Sequence, residues 1–573
     1  MIGVVLSLLL TAAPVVLLVL LVRRMTRPGG GAVDGRSVRR FFQYAVLYGL
    51  VLVAGSGVTG LLARAVGPPT MAVGDDAELA RALTFTLVGL PLLVAVVLWT
   101  RRVHRRESEE RTAAGWAVYT TVAALTALVM TMAELHAVVS DAVEGRWAAS
   151  SAVALLVWGG LWVLHVRLVR RTVPAPSARP HLAAGSLVGL GTLLVGLTAV
   201  IADAGRVLVL ERGVDRLVST TDGGALALAV TGALVWSWYW LGAYRRGRPD
   251  GLWLVYVLPI GVGASLVMAV VGAGLASYST LVWFLGDPAG TAVEHFAGTP
   301  AAVGAAFVGG VSWWYHRQVL RGAMEHERSE VDRAHDYLMT GIALLAAGAG
   351  VAVLVAAAIE VLLPPAVAER GASLANSLLA AVTLLVVGGP LWWAFWRGVR
   401  HATARATAAE VGSPVRRVYL LILFGLGAVA AVVTVLVASY TAISAVLDTG
   451  FEAATVGEMR IPLGILVATA AISGYHWRVY RDDRRSAPRA GAAGPTGRRG
   501  PHYVLLIGAP DDGVVAAVRR ATRGEVHLWV RTDAPATPWV ADEVVAAVTA
   551  DPHPALAVIG DADGLRSIPI ARA

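Results

Sequence analysis

The sequence predicts an all-α polytopic membrane protein of about 13 transmembrane helices, arranged as six parallel two-helix repeats and followed by a small C-terminal α/β domain. Its composition is 56% hydrophobic and only 15% charged, whereas roughly a quarter of the residues are charged in a soluble domain. One pattern also returns six times: two apolar stretches are joined by a short polar loop, and the second stretch ends in aromatic residues and arginines.

The apolar stretches are long enough to span a bilayer as helices. Residues 38–62 and 342–363 each cover the roughly 20 residues that a spanning helix needs. They are continuous rather than alternating, which indicates helices and not barrel strands. An earlier apolar run, residues 2–22, is followed by arginines but not preceded by them. We therefore interpret residues 1–25 as an uncleaved N-terminal helix, with a cleaved signal peptide as the alternative.

The distribution of charge predicts the orientation in the membrane. The second helix of each repeat ends in arginines, as at Arg101-Arg102 and Arg245-Arg246, whereas most loops at the opposite ends are acidic. Cytoplasmic loops of membrane proteins carry the excess of basic residues, so the arginine-rich ends are expected in the cytoplasm. This predicts a multi-pass protein of the bacterial cytoplasmic (inner) membrane with its N-terminus outside and its C-terminus in the cytoplasm.

The repeat has a period of about 75 residues, which two membrane crossings per copy explain. We assign the six hairpins to residues 38–107, 113–171, 181–248, 252–322, 333–401 and 415–485. Because each unit crosses twice, successive units point the same way, which argues against an inverted-repeat transporter. A parallel-repeat transporter, a ring-like bundle and a plain scaffold all fit the pattern.

The first and last hairpins open alike, with Val38-Arg39-Arg40-Phe41-Phe42 and Val415-Arg416-Arg417-Val418-Tyr419. Together with the aromatic–arginine exits, these entries make the stretch from Arg39 to Arg485 resemble the bacterial membrane hairpins grouped as domain of unknown function 5671. The resemblance implies a membrane hairpin fold, and it implies no activity, cofactor or site residue.

Few ionisable side chains fall within the predicted spans: Glu134, His136, Asp203 and Glu360. All four come late in the first helix of their hairpin, toward the predicted outer face. One interpretation is that they are interfacial residues that reach water. The other is an outer acidic vestibule for a cation or cationic solute, because ionisable groups inside a membrane are costly and often functional.

The aromatic–arginine ends also allow two interpretations. Tryptophan and tyrosine favour the headgroup region, and arginine side chains extend from it into water, so these ends predict ordinary interfacial anchoring. The alternative is contact with anionic lipids at the cytoplasmic face, with Arg167, Arg245, Arg317, Arg397 and Arg478 as candidates. We interpret the neighbouring histidines, His165, His316 and His476, as interface residues rather than haem or metal ligands.

Catalytic chemistry finds little support in the sequence. The chain has no cysteine, which excludes disulfides, thiolate metal sites and cysteine nucleophiles. No catalytic, cofactor-binding or metal motif is recognised, so we predict neither a cofactor nor an enzyme activity. The net charge of +9 fits an excess of arginine in cytoplasmic loops, and no nucleic-acid partner is expected.

The C-terminal region predicts a linker followed by a small domain. Residues 486–501 are rich in alanine, glycine, proline and arginine, which is typical of a flexible basic linker. Residues 502–573 follow the order β-α-β-α-β-β, with strands at 503–507, 525–530, 555–559 and 567–571 and helices at 514–522 and 540–550. The loop after the first strand lacks the glycines of a dinucleotide-binding or P-loop motif.

These observations predict a noncatalytic scaffold or sensor in the lipid bilayer, whose domain at residues 502–573 binds a cytosolic protein. The alternative is a small-solute transporter or permease built from the parallel hairpin repeats. A dry interior would favour the scaffold, and a water-accessible cavity at Glu134 or Asp203 would favour transport.

Overall fold

The computed structural model describes most of the chain, in these ranges: 35–66, 75–147, 149–210, 223–247, 249–322, 329–364, 373–405, 407–448, 450–486, 501–508, 512–522, 524–530, 539–551, 553–561 and 564–570. The chain divides into two compact units, Met1–Arg478 and Val479–Ala573.

Twelve helices in the described ranges are long and apolar enough to cross a membrane, which indicates a multi-pass membrane protein. In chain order they are α1 Arg39–Val66, α2 Asp76–Arg106, α3 Ala114–Val143, α4 Ala149–Thr172, α5 Ala175–Leu208, α6 Gly223–Tyr244, α7 Gly251–Leu285, α8 Ala292–Gly322, α9 Glu330–Val361, α10 Leu374–Arg405, α11 Pro414–Asp448 and α12 Ala453–Arg485. The leading helix predicted at residues 2–22 lies outside the described residues.

Prolines affect the geometry of these helices in different ways. A π-helical stretch, Phe85–Gly89, ends just before Pro91 in α2, and Pro259 lies within another, Tyr256–Ala264, in α7. Such stretches are expected where proline removes a backbone donor and crowds the preceding turn. In α10, by contrast, Pro390 is accommodated within a continuous α-helix.

The helices associate as three successive four-helix groups, in each of which the first helix packs against the fourth. Glycines permit the close approach in each case, because a Cβ atom on them would collide with the facing helix. A Cβ on Gly55 of α1 would lie 3.1 Å from Leu161 of α4, and a Cβ on Gly304 of α8 would lie 2.9 Å from the Thr198 carbonyl of α5. Gly464 of α12 lies closer still to α9, because a Cβ there would collide with the Ala352 carbonyl oxygen. We call α1–α4, α5–α8 and α9–α12 the first, second and third groups.

Adjacent groups also contact each other in a regular way. The third helix of one group packs against the second helix of the next, as α3 does on α6 and α7 on α10. As a result α3 is well buried, whereas α2 and α11 are largely exposed at the two ends of the series.

The C-terminal unit contains a four-stranded mixed sheet in the order β2-β1-β3-β4, formed by β1 Tyr503–Gly508, β2 Glu525–Val530, β3 Ala555–Asp561 and β4 Gly564–Pro569. Strands β1, β2 and β3 are parallel, and β4 returns antiparallel to β3. Helices α13, Asp512–Thr522, and α14, Ala541–Ala550, share one apolar core with the sheet.

The last strand begins three residues earlier than predicted. Asp561 pairs directly with Gly564, so the turn is tighter than the sequence suggested. The positive φ of Gly564, 114°, suits a glycine at this position. The predicted loop at 507–511 falls mostly outside the described residues.

Candidate functional site

A buried ion pair closes the arginine-rich end of the first group. The Nε of Arg40 donates to Glu110 Oε2 at 2.8 Å, and Nη2 of Arg39 donates to Glu110 Oε1 at 2.5 Å. The Glu110 side chain is only 1% exposed. It is carried by a 3-10 turn, Ser108–Arg111, which connects α2 to α3. The pair therefore ties the start of α1 to the connection that precedes α3.

The third group has the same arrangement. Arg333 near the start of α9 donates from Nε to Glu410 Oε1 at 2.9 Å, and the Glu410 side chain is again 1% exposed. Glu410 lies in a short helix, Thr407–Gly412, between α10 and α11. Arg333 also donates from Nη1 to Glu330 at 2.5 Å, so this guanidinium has two acid partners.

In the second group, Arg179 of α5 pairs with Asp250, which precedes α7. Asp250 also caps α7 by accepting the Trp253 N–H at 2.8 Å. The first helix of every group is thus held by an arginine to the connection that leads into its third helix.

The ion pair of Glu110 predicts a loss of stability in acid. Burial alone would raise the pKa of the Glu110 carboxyl, but the hydrogen bond and the charge of Arg40 lower it below the ordinary glutamate value of about 4.3. A lowered pKa in the folded state stabilises the protein above the ordinary pKa, and this stabilisation disappears as the pH falls through the lowered value. The difference in apparent Tm between the native protein and Glu110→Gln should therefore be large at pH 7 and shrink below about pH 4. An equal difference at pH 7 and pH 3 would contradict this assignment.

A layer of aromatic and histidine side chains fills each group near the same end. In the first group all four helices contribute, through Tyr44, His104, Tyr119 and His165 of α1, α2, α3 and α4. Tyr44 Oη lies 3.1 Å from His104 Nε2, and Tyr119 Oη lies 3.2 Å from His165 Nε2. The Tyr44 and Tyr119 rings stack at 5.9 Å between centroids. Side chains from four helices therefore meet in one buried layer.

The histidine of the fourth helix has one orientation in all three groups. The Nδ1 atoms of His165, His316 and His476 lie 2.8, 2.8 and 2.9 Å from the carbonyl oxygen four residues earlier in the helix. Because a carbonyl can only accept, Nδ1 carries the proton and Nε2 of the neutral ring is an acceptor. The Tyr119 and Tyr419 hydroxyls occupy that acceptor in the first and third groups.

These positions correct the interpretation of the three histidines as interface residues. His165, His316 and His476 are 2%, 1% and 0% exposed, so they face the inside of a group and not the headgroup region. The indoles of Trp240 and Trp396 are likewise buried. The side chains lie near helix ends, as expected, but on the inward face of the helix.

A single hydroxyl joins the first and second groups. Tyr239 of α6 accepts a hydrogen bond from Nε1 of Trp162 in α4 at 2.9 Å, and its hydroxyl lies 3.3 Å from Nε2 of His181 in α5. Tyr239 is 1% and His181 2% exposed, whereas Trp162 is half-buried, so the imidazole could not turn to water if the hydroxyl were removed.

Replacing Tyr239 with phenylalanine should therefore destabilise the protein. The change removes the acceptor of the half-buried indole N–H and leaves the imidazole nitrogen of His181 buried and unpaired, and an unpaired buried group costs about 1–3 kcal/mol. Thermal unfolding in detergent would show a clear fall in apparent Tm, while Tyr440→Phe, at a side chain 74% exposed, should change it little. Equal behaviour of the two variants would contradict the role of this hydroxyl.

The residues predicted to form an outer vestibule, Glu134, His136, Asp203 and Glu360, are distributed over α3, α5 and α9. Asp203 Oδ1 lies 3.3 Å from Arg206 Nη1, and Glu360 Oε2 lies 3.7 Å from Arg460 Nε in α12. Within the described ranges, no hydrogen bond or ion pair is seen between any two of the four. The vestibule therefore stays a prediction.

The arginines predicted to contact lipid differ in exposure, and their contact with lipid stays a prediction. Arg167, Arg245, Arg397 and Arg478 are exposed, and Arg317 is half-buried with its guanidinium 5.2 Å from the centre of the Trp313 ring. In the part of the chain that the structure describes, no cluster of three or more histidine, aspartate or glutamate side chains could hold a metal ion.

Comparison with known proteins finds a family model that matches two parts of the chain. Residues 40–146 and 333–471 match the family model described as Domain of unknown function (DUF5671). Two separate regions of the chain therefore match this family model. The resemblance predicted from the sequence is thereby confirmed over these stretches. No curated protein and no solved structure matches the chain.

The two DUF5671 regions contain the two arginine–glutamate pairs. Arg40 and Glu110 both lie in the first region, and Arg333 and Glu410 both lie in the second. Sequence reasoning missed these acids, although one indication was available. Glu110 and Glu410 stand in connections at the arginine-rich ends, where the predicted topology expects basic residues.

Proposed function

We propose that this protein is a noncatalytic membrane scaffold or sensor, in which closed helix groups hold a small α/β domain for a protein partner. The proposal rests on the observation that side chains fill the interior of the helix groups. Buried rings from α1, α2, α3 and α4 meet in one layer, and buried ion pairs at Glu110 and Glu410 lie near the same end. A solute pathway through the first group would have to cross this layer.

Close helix packing supports the same conclusion. A Cβ atom on Gly189 would lie 2.6 Å from the Trp236 backbone nitrogen, and one on Gly309 would lie 2.6 Å from that of Ala269. Backbones that approach this closely leave no room for water between the paired helices. The ionisable Asp203 and Glu360 have arginine partners, which suits a structural role.

The C-terminal unit offers an edge to a partner. Strand β2 is at the edge of the sheet, so one row of its backbone groups has no neighbouring strand in the described sheet. Its Leu528, Trp529 and Val530 side chains are 37%, 64% and 68% exposed. An extended segment of a cytosolic protein could add to this edge as a further strand, with Trp529 as an apolar anchor.

Photocrosslinking in intact membranes tests this function. A photoreactive residue in place of Trp529 should crosslink to one discrete protein, whereas the same residue in place of Arg520, an exposed position on α13, should not. If neither position crosslinks, and proteoliposomes show a solute uptake that Glu134→Gln abolishes, the protein is better explained as a transporter.

A further inference from the structure

The junction between the first and second groups has a counterpart between the second and third. Each junction combines the fourth helix of one group with the first and second helices of the next. Three positions correspond: Trp162, His181 and Tyr239 in α4, α5 and α6, and Trp313, His335 and Phe395 in α8, α9 and α10.

Fixed spacings establish this correspondence. The two tryptophans each stand three residues before the buried histidine of their helix, His165 or His316. The two histidines each stand two residues after the arginine of an ion pair, Arg179 or Arg333. The third position directly precedes a buried tryptophan in both cases.

The two junctions differ by one hydroxyl. In the first, the Tyr239 hydroxyl accepts from the Trp162 indole and lies within hydrogen-bond distance of His181 Nε2. In the second, Phe395 has no hydroxyl. Trp313 Nε1 and His335 Nε2 are buried and have no hydrogen-bond partner among the described residues.

The hydrogen-bonding chemistry of Trp313 Nε1 and His335 Nε2 determines which group could bond to both. Trp313 Nε1 can only donate. Nδ1 of His335 lies 3.1 Å from Asp336 Oδ1, to which it donates, so His335 Nε2 is an acceptor. His335 is 7% exposed, and its ring lies 6.1 Å from that of Phe395. A hydroxyl group or a water molecule accepts one hydrogen bond and donates another, so either would satisfy both atoms.

We propose that the junction of α8, α9 and α10 binds an alcohol hydroxyl from outside the chain. This hydroxyl would take the position that the Tyr239 hydroxyl occupies at the other junction. Arg317 lies one turn after Trp313, with its guanidinium over the indole ring, and favours an alcohol attached to a phosphate. Asp336 also interacts with Arg317, which weakens the attraction of this arginine for a phosphate. The ligand class is thus a phosphate ester with a free hydroxyl, such as a phosphatidylglycerol headgroup or soluble glycerol phosphate. This site does not depend on the scaffold role.

Native mass spectrometry of the full chain tests the site. After equilibration with equal amounts of phosphatidylglycerol and phosphatidylcholine, the native protein should retain phosphatidylglycerol preferentially. Phe395→Tyr places a hydroxyl of the protein in the site, so retention should fall about tenfold while the apparent Tm rises. Phe307→Tyr adds a hydroxyl at a side chain 63% exposed and should change neither quantity.

Further experiments distinguish the lipid headgroup from the soluble ester and control for misfolding. Displacement of the lipid by glycerol phosphate would identify the soluble ester as a ligand, and failure to displace it would identify the lipid headgroup. Trp313→Phe removes the donor without adding an atom and should also weaken retention. The proposal is overturned if the native protein prefers neither ester, or if Phe395→Tyr and Trp313→Phe both retain phosphatidylglycerol as the native protein does.

Discussion

Replacing Glu410 with glutamine is expected to lower the free energy of unfolding by about 3 kcal/mol, the lower end of the range for breaking a buried ion pair. The substitution preserves the size of the side chain but leaves the Arg333 guanidinium, whose side chain is 11% exposed, without its buried partner. Glu330 continues to accept from Arg333 and so limits the loss. Thermal unfolding in detergent measures the effect as a fall in apparent Tm.

Two controls make this result specific. Glu78→Gln breaks the Arg81–Glu78 pair, whose side chains are 63% and 65% exposed, and should change stability by less than about 1 kcal/mol. The double variant Arg333→Met with Glu410→Leu replaces the pair by apolar groups and should recover most of the loss. If Glu410→Gln unfolds at the same temperature as Glu78→Gln, the pair does not hold the third group together.

Replacing Gly388 with valine should cost about 3 kcal/mol, in the upper part of the range for overpacked cores. A Cβ at this position in α10 would lie 2.5 Å from the Ala347 nitrogen of α9. The obstacle is backbone, so a side chain cannot turn away and the two helices must separate. The apparent Tm in detergent should fall accordingly.

The neighbouring glycine provides a matched control. A Cβ on Gly389 would meet nothing within 4 Å, so Gly389→Val should be tolerated with little change. Gly389 directly precedes Pro390, whose ring restricts the residue before it, so the local backbone cost of valine is at least as large at Gly389 as at Gly388, and a greater loss at Gly388 must come from packing. Similar losses in the two variants would show that α9 and α10 are not packed at this distance.

The helical class and the C-terminal domain could be predicted because they depend on local patterns. Strand β2 was predicted at residues 525–530 and is observed as Glu525–Val530. Uninterrupted apolar length likewise marks a spanning helix wherever it occurs. The four-helix grouping is different in kind, because it rests on contacts such as Arg40 with Glu110 between distant parts of the chain.

The inward direction of the buried histidines could not be predicted for a related reason. In a soluble helix a polar face marks the outside, whereas a helix that is apolar all round gives no such mark. His165 and His476 therefore looked like interface residues beside exposed arginines, although they point into their groups. The hydroxyl pairing of Tyr239 similarly becomes apparent only when three helices are brought together.

If the helix groups are closed to water, cysteines placed inside them should be inaccessible to a water-soluble reagent. The chain has no native cysteine, so single substitutions such as Ala127→Cys, Ala229→Cys and Ala343→Cys provide unique reporters inside α3, α6 and α9. We expect that a membrane-impermeant thiol reagent labels none of them in sealed vesicles of either orientation, while Arg397→Cys, at an exposed helix end, reacts in one of the two orientations. Labelling of the buried positions from either side of the membrane would reveal an aqueous pathway and contradict the scaffold.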